Sequence, residues 1–191
     1  MGLIVLLVVL VVPVLWVIGA YNGLVALRNQ VLNGWKQIDV QLKRRHDLVP
    51  NLVNTVKGAM EFERGTLEAV ISARNRAVAA TGVRETARAE GELTQALGRL
   101  FALTEAYPDL KTNANILALQ EELTSTENKV GFARQHYNDV ATQYNTRQST
   151  FPTMLVAGLA KASPAELWEI EDAAERAVPR VDLSFGRTPP A

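Results

Sequence analysis

The stretch QLKRRHDLVPNLVNTV, residues 41–56, decides the architecture, because a proline stands in the middle of an otherwise helical pattern. Upstream, Leu24, Leu27, Val31, Trp35, Ile38 and Leu42 recur every three or four residues, which is one face of a helix. Downstream, Leu48, Val49, Leu52, Val53, Val56, Met60, Leu67, Val70 and Ile71 form a second such pattern. Pro50 has no N–H to donate, so it belongs in a first helical turn or marks a kink. In the first reading Arg44 and Arg45 close one helix, where cations are favourable, and Asp47 caps the next. Pro50 then occupies a position whose N–H has no intrahelical partner anyway. In the second reading one kinked helix continues through Pro50, because a helical hairpin needs a few loop residues and few are available here. The reversal is the expectation adopted, and it leads to four helices rather than three.

The remaining helices follow from the same periodicity. Thr81 and Gly82 end the second, and Leu93, Leu97, Leu100, Phe101 and Tyr107 outline a third before Tyr107-Pro108-Asp109 breaks it. Ile116, Leu119, Leu123, Val130, Ala133, Tyr137, Val140 and Tyr144 keep helical period to about Gln148, a rod of roughly 50 Å at 1.5 Å per residue. Phe151-Pro152 ends it. No segment alternates like a strand, so the expected fold is all-α, an antiparallel up-and-down four-helix bundle of long helices. Beyond Pro152, Ser163-Pro164-Ala165-Glu166 fits a capping box with proline at the first helical position. A short acidic helix is expected from Pro164 to about Val178, followed by a disordered tail from Gly186 to Ala191.

Working toward the N-terminus, no charged residue precedes Arg28, although the chain carries 20 basic and 20 acidic residues. Residues 3–20, LIVLLVVLVVPVLWVIGA, are almost wholly Leu, Val and Ile, and about 20 such residues cross a roughly 30 Å hydrocarbon layer as a helix. Leu3 and Leu10 lie within this span, while Trp16 and Tyr21 stand where interfacial aromatics are expected. Pro13 is tolerated in a membrane helix. The run has no basic leader and its one cleavage-like pair, Gly19-Ala20, opens onto a helical pattern, so it reads as a retained anchor rather than a removed signal. Arg28, Lys36 and Lys43 to Arg45 all follow the span, which favours a cytoplasmic body, but long domains are translocated largely regardless of charge.

Composition excludes several function classes. Net charge is zero at pH 7, so no broad surface attracts nucleic acid. Cysteine is absent, which removes disulfides, thiolate metal sites and thiol nucleophiles. A di-iron bundle needs inward Glu-x-x-His pairs, yet Lys43 and Ala133 stand three residues before His46 and His136. Both histidines are expected to face solvent. No nucleotide, hydrolase or metalloprotease motif occurs, and no catalytic, cofactor-binding or metal-binding residue is assigned. Polar residues beside the apolar stripes stand out instead. Glu127 and Arg134, seven apart, share a face of the fourth helix, and Arg74 lies four after Val70 on the second. They either snorkel to water or form interhelical polar contacts that set helix register. Trp35 reads as core.

The segments YNGLVALRNQV, WKQIDVQLKRRHDLVPNLVNTVKG and LQEELTSTENKVGFARQHYNDVATQYN, between Tyr21 and Asn145, resemble the LemA family. The resemblance implies a single-span protein with an all-α antiparallel soluble part and carries over no catalytic residues. It divides the chain into an anchor over residues 1–21, a helical bundle over 22–150 and an extension over 151–191. Some LemA-like proteins carry a lipoprotein-type cysteine where this chain has Ala20, which points to an extracytoplasmic body and leaves the side open. The expected function is a non-enzymatic scaffold in the cell membrane, self-associating or docking an envelope partner. Analogy with relatives encoded beside membrane metallopeptidases suggests regulation of a membrane enzyme as the alternative.

Overall fold

The computed structural model describes residues 1–58 and 63–169. Within them the fold is all-α: α1 (Gly2–Lys57), α2 (Arg64–Ala79), α3 (Val83–Thr104), α4 (Pro108–Lys111), α5 (Ala114–Ser149) and α6 (Met154–Ala157).

The expected reversal at Arg45 to Pro50 does not occur. α1 runs unbroken through Pro13 and Pro50 to Lys57, with Asp47 in its interior rather than at a cap, and α2 begins at Arg64. The physical reason lies in the one bond that Pro50 cannot make. Residue 50 would normally donate to the carbonyl of His46, four residues earlier. Arg74 on α2 supplies that donor instead, with its Nε 3.2 Å from the His46 oxygen. A second signal for continuity is the apolar stripe itself, since Ile38, Leu42, Val49, Leu52 and Val56 are all buried and keep phase across the proline. Arg74→Met should therefore cost about 1–3 kcal/mol through an orphaned buried carbonyl. Pro50→Ala, which restores the backbone donor, should recover much of that loss in the double variant. A double-mutant cycle in urea checks this, and strictly additive effects would refute the compensation.

α5 starts cleanly because the Asn113 side chain accepts from the backbone N–H groups of Asn115 and Ile116. It packs along α1 in the opposite direction: Arg44 pairs with Glu122, while ten residues earlier on α1 Gly34 lies against Tyr137. A Cβ at Gly34 would come within 3.3 Å of the Tyr137 Cα, so the helices approach closely here and an added methyl would have to push them a few tenths of an ångström apart. α2 and α3 form a hairpin through Gly82, whose φ of +79° favours glycine, and Arg76 pairs with Glu92 across it.

Buried side chains divide into two apolar clusters. One joins Val49, Leu52, Val56, Leu67, Val70, Leu93, Leu97, Leu100, Ile116 and Leu123, drawn from α1, α2, α3 and α5. The other joins Leu24, Val31, Ile38, Leu42, Val130, Tyr137, Val140 and Tyr144 with Trp168. No described residue outside α1 covers the N-terminal apolar run as far as Ile18. Leu3, Leu10, Trp16 and Tyr21 are all exposed, and α1 is the one described helix long and apolar enough to cross a membrane.

The C-terminal expectation also changes. Residues 162–169 adopt no regular structure, so no helix starts at Pro164, and the rest of that expected helix lies outside the described residues. The capping signature loses to tertiary contacts: the segment lies extended on α1 and α5, where its backbone groups find side-chain partners.

Candidate interaction site

Between the two apolar clusters lies a buried polar layer. Arg45 and Glu90 are each about 4% exposed, and Arg45 Nη1 stands 3.1 Å from Glu90 Oε2. Arg45 Nη2 donates to Thr94 Oγ1 at 2.9 Å. Arg45 also faces Glu127 Oε2 across to α5 at 2.8 Å, a Coulombic contact in which that oxygen has no aligned hydrogen-bond donor. The other Glu90 oxygen shares a hydrogen bond with His46 Nε2 at 2.5 Å. His46 is thus buried rather than solvent-facing, as the amphipathic position after Arg45 on α1 brings it against α3. His136 is exposed.

The sequence-derived polar residues fall at this layer and around it, in different roles. Glu127 reaches across helices to Arg45. Arg74 bonds the α1 backbone rather than a carboxylate. Arg134 stays on its own helix, 3.7 Å from Glu127, and holds its guanidinium 5.7 Å from the ring centroid of Trp168. Apolar periodicity does not mark Arg45, His46 or Glu90 as buried polar residues. Its own signal was available, since Arg45 occupies the stripe position between Leu42 and Val49, and Glu90 the one before Leu93.

The second feature is the docked segment of residues 163–169. Asn138 Nδ2 donates to the Trp168 carbonyl at 2.9 Å and its Oδ1 accepts from the Trp168 N–H at 2.8 Å. Asn145 makes the same pair of bonds to Ala165, at 2.9 and 2.8 Å. Between them Tyr137 donates its hydroxyl to the Glu166 carbonyl at 2.6 Å. Trp168 is 4% exposed, its ring tilted 42° to that of Trp35 with centroids 6.0 Å apart, while Trp35 meets Tyr137 in a T-shaped contact at 5.7 Å. Trp35 is therefore half core and half the wall of a pocket.

Burial, and secondarily the nearby Glu166 charge, push the Tyr137 phenol above its ordinary value. Because the folded value lies above the unfolded one, this contribution to stability is complete below the unfolded pKa and is lost as pH rises through the folded one. The phenolate also cannot donate to the Glu166 carbonyl. In an alkaline titration followed by phenolate absorbance, Tyr137→Phe should remove the latest-titrating component. An unchanged late phase would assign that behaviour to another tyrosine.

Among the described residues no group of three or more His, Cys, Asp or Glu side chains comes together to hold a metal ion. His46 and Glu90 are enclosed, with His46 Nε2 and both Glu90 oxygens engaged by protein partners. What the surface offers is contact area and hydrogen-bonding side chains along α1 and α5.

Known proteins resemble this chain in sequence. The chain is 28% identical over 142 residues to Protein LemA of Metamycoplasma hominis, covering 73% of this chain and 64% of that one. It is also 28% identical over 87 residues to the Magnetosome proteins MamQ 1 and MamQ 2 of Paramagnetospirillum magneticum, covering 46% of this chain and 32% of each of those. It thus spans less than two thirds of the length of these relatives. The LemA family model matches residues 34–183, which takes in the polar layer, the Asn138 and Asn145 clamps and the docked segment. A match over that much of the sequence places this chain in the LemA family.

Proposed function

We propose that this protein is a membrane-anchored, non-enzymatic helical scaffold. Residues 3–20 span one bilayer, and the four longer helices form an up-and-down bundle that self-associates or docks another membrane protein. The observation that carries this reading is the continuity of α1: one helix joins the uncovered apolar run to the buried core at Lys57 with no break. Such a helix fixes the height and orientation of the body relative to a bilayer, which suits positioning better than turnover.

The antiparallel course of α5 adds a feature of the lipid-facing end. From the pairing of Gly34 with Tyr137, Ser149 reaches the level of about Asn22 on α1. Phe151, Met154, Leu155 and Leu159 follow and are all exposed, so they sit where the headgroups begin. On fractionation the full chain should stay with membranes through carbonate and high salt, and deletion of residues 1–20 should release a soluble helical body. In vesicles, lipid-phase quenchers should reach a fluorophore at Ala157 far better than one at Asn51. Extraction of the full chain by carbonate would end the anchor reading, and stronger quenching at Asn51 would invert the bundle.

A further inference from the structure

The groove between α1 and α5 holds residues 163–169 as a receptor holds a peptide. Two carboxamides, Asn138 and Asn145, each engage both the N–H and the C=O of one residue, so they read main chain and not sequence. Gln148 donates to Asn145 Oδ1 and so fixes one of them in its clamping orientation. The spacing is matched: seven residues of α5 advance roughly 10.5 Å, and three extended residues, from Ala165 to Trp168, advance roughly 10 Å. Specificity comes from one anchor, Trp168, which fills the pocket between Trp35 and Arg134. Backbone bonds for affinity and a pocket for one side chain are the elements of extended-peptide recognition.

The segment reaches this groove through a turn whose Lys161 has a φ of +47°, an unfavourable conformation for a side chain other than glycine. Opening that turn would relieve the strain and let the segment reach beyond its own body. We propose that the groove is an exchangeable site whose partner is a second copy of this chain, with residues 163–169 of each copy seated on α1 and α5 of the other. The assignment rests on the self-association reading above. A second copy carries the complementary peptide by construction, and copies anchored by the same α1 in one membrane hold their grooves at one height. Exchange is reciprocal, which yields a closed two-fold pair.

Two variants of the full chain, reconstituted in vesicles with donor and acceptor fluorophores at Asn51, test this. Trp168→Ala retains the groove but spoils the peptide, and Asn138→Ala/Asn145→Ala retains the peptide but spoils the groove. Each variant alone should associate no more tightly than wild type, because its closed and exchanged forms lose the same contacts. Mixed together, they should recover energy transfer. A synthetic Ser163–Glu169 peptide should abolish that recovery, and the same peptide with alanine for tryptophan should not. Circular dichroism confirms folding, and Asn138→Ser serves if the double replacement unfolds the body. A mixture of the two variants that associates no more tightly than either alone would overturn strap exchange while leaving self-association through another face. Peptide binding to the Trp168→Ala chain without energy transfer between copies would overturn the second copy as occupant. No association even of wild type would remove the self-association reading and the exchange with it.

Discussion

Arg45→Met is expected to destabilise the fold by about 3–5 kcal/mol, because it leaves the Glu90 carboxylate buried without its guanidinium partner. Desolvating a charge is tolerable only while the opposite charge and its hydrogen bonds are in place. That loss is a large fraction of the 5–15 kcal/mol that typically separates folded from unfolded states. The informative comparison is Arg45→Met/His46→Leu/Glu90→Leu, which removes the buried polar groups together and should cost far less than the sum of the single changes. Urea unfolding in mild detergent, followed by circular dichroism, measures both. If the triple variant is as unstable as the sum, the layer contributes net stability. If it is stable but populates more than one helix register, the layer serves specificity. We expect the latter, since the polar stratum separates two apolar clusters that could otherwise slide past each other.

Leu52→Asp should have the largest effect of any single surface-neutral change, unfolding the part of the body built on the first cluster. Leu52 is fully buried among side chains from α2, α3 and α5, and an unpaired carboxylate there has neither water nor a cation. Val56→Asp and Leu123→Asp should act the same way. Arg88→Ala should change the unfolding midpoint little, because its side chain is 72% exposed and its pair with Glu92 is 3.8 Å long. The anchor is independent of this cluster, so Leu52→Asp should remain membrane-bound while losing its cooperative unfolding transition. Retention of that transition would mean the cluster is not the core.

Helix identity and helix faces were legible because they depend on local periodicity. The buried positions on α5 match the stripe from Ile116 to Tyr144, and Asn113 caps that helix by contacts two and three residues away. The apolar run before Arg28 needs no tertiary information either, since uninterrupted Leu, Val and Ile state their own preference for lipid or for cover. Pro50 is different. Its local chemistry allows a turn or a bend, and the choice falls to Arg74, distant in sequence, which satisfies the carbonyl that proline abandons. The same holds for Ser163-Pro164-Ala165-Glu166, where a local capping signature yields to five backbone hydrogen bonds from Tyr137, Asn138 and Asn145. Arg45 and Glu90 sat visibly in apolar stripes, but only packing could show that each was buried against the other. By itself the sequence determined an all-α chain with one lipid-compatible helix and most of the apolar faces, although Ile71, counted in the second stripe, is exposed and Met60 lies outside the described residues. The tertiary structure decided where the chain reverses, which charges are enclosed and where the extension lies, because those outcomes rest on partners separated by tens of residues.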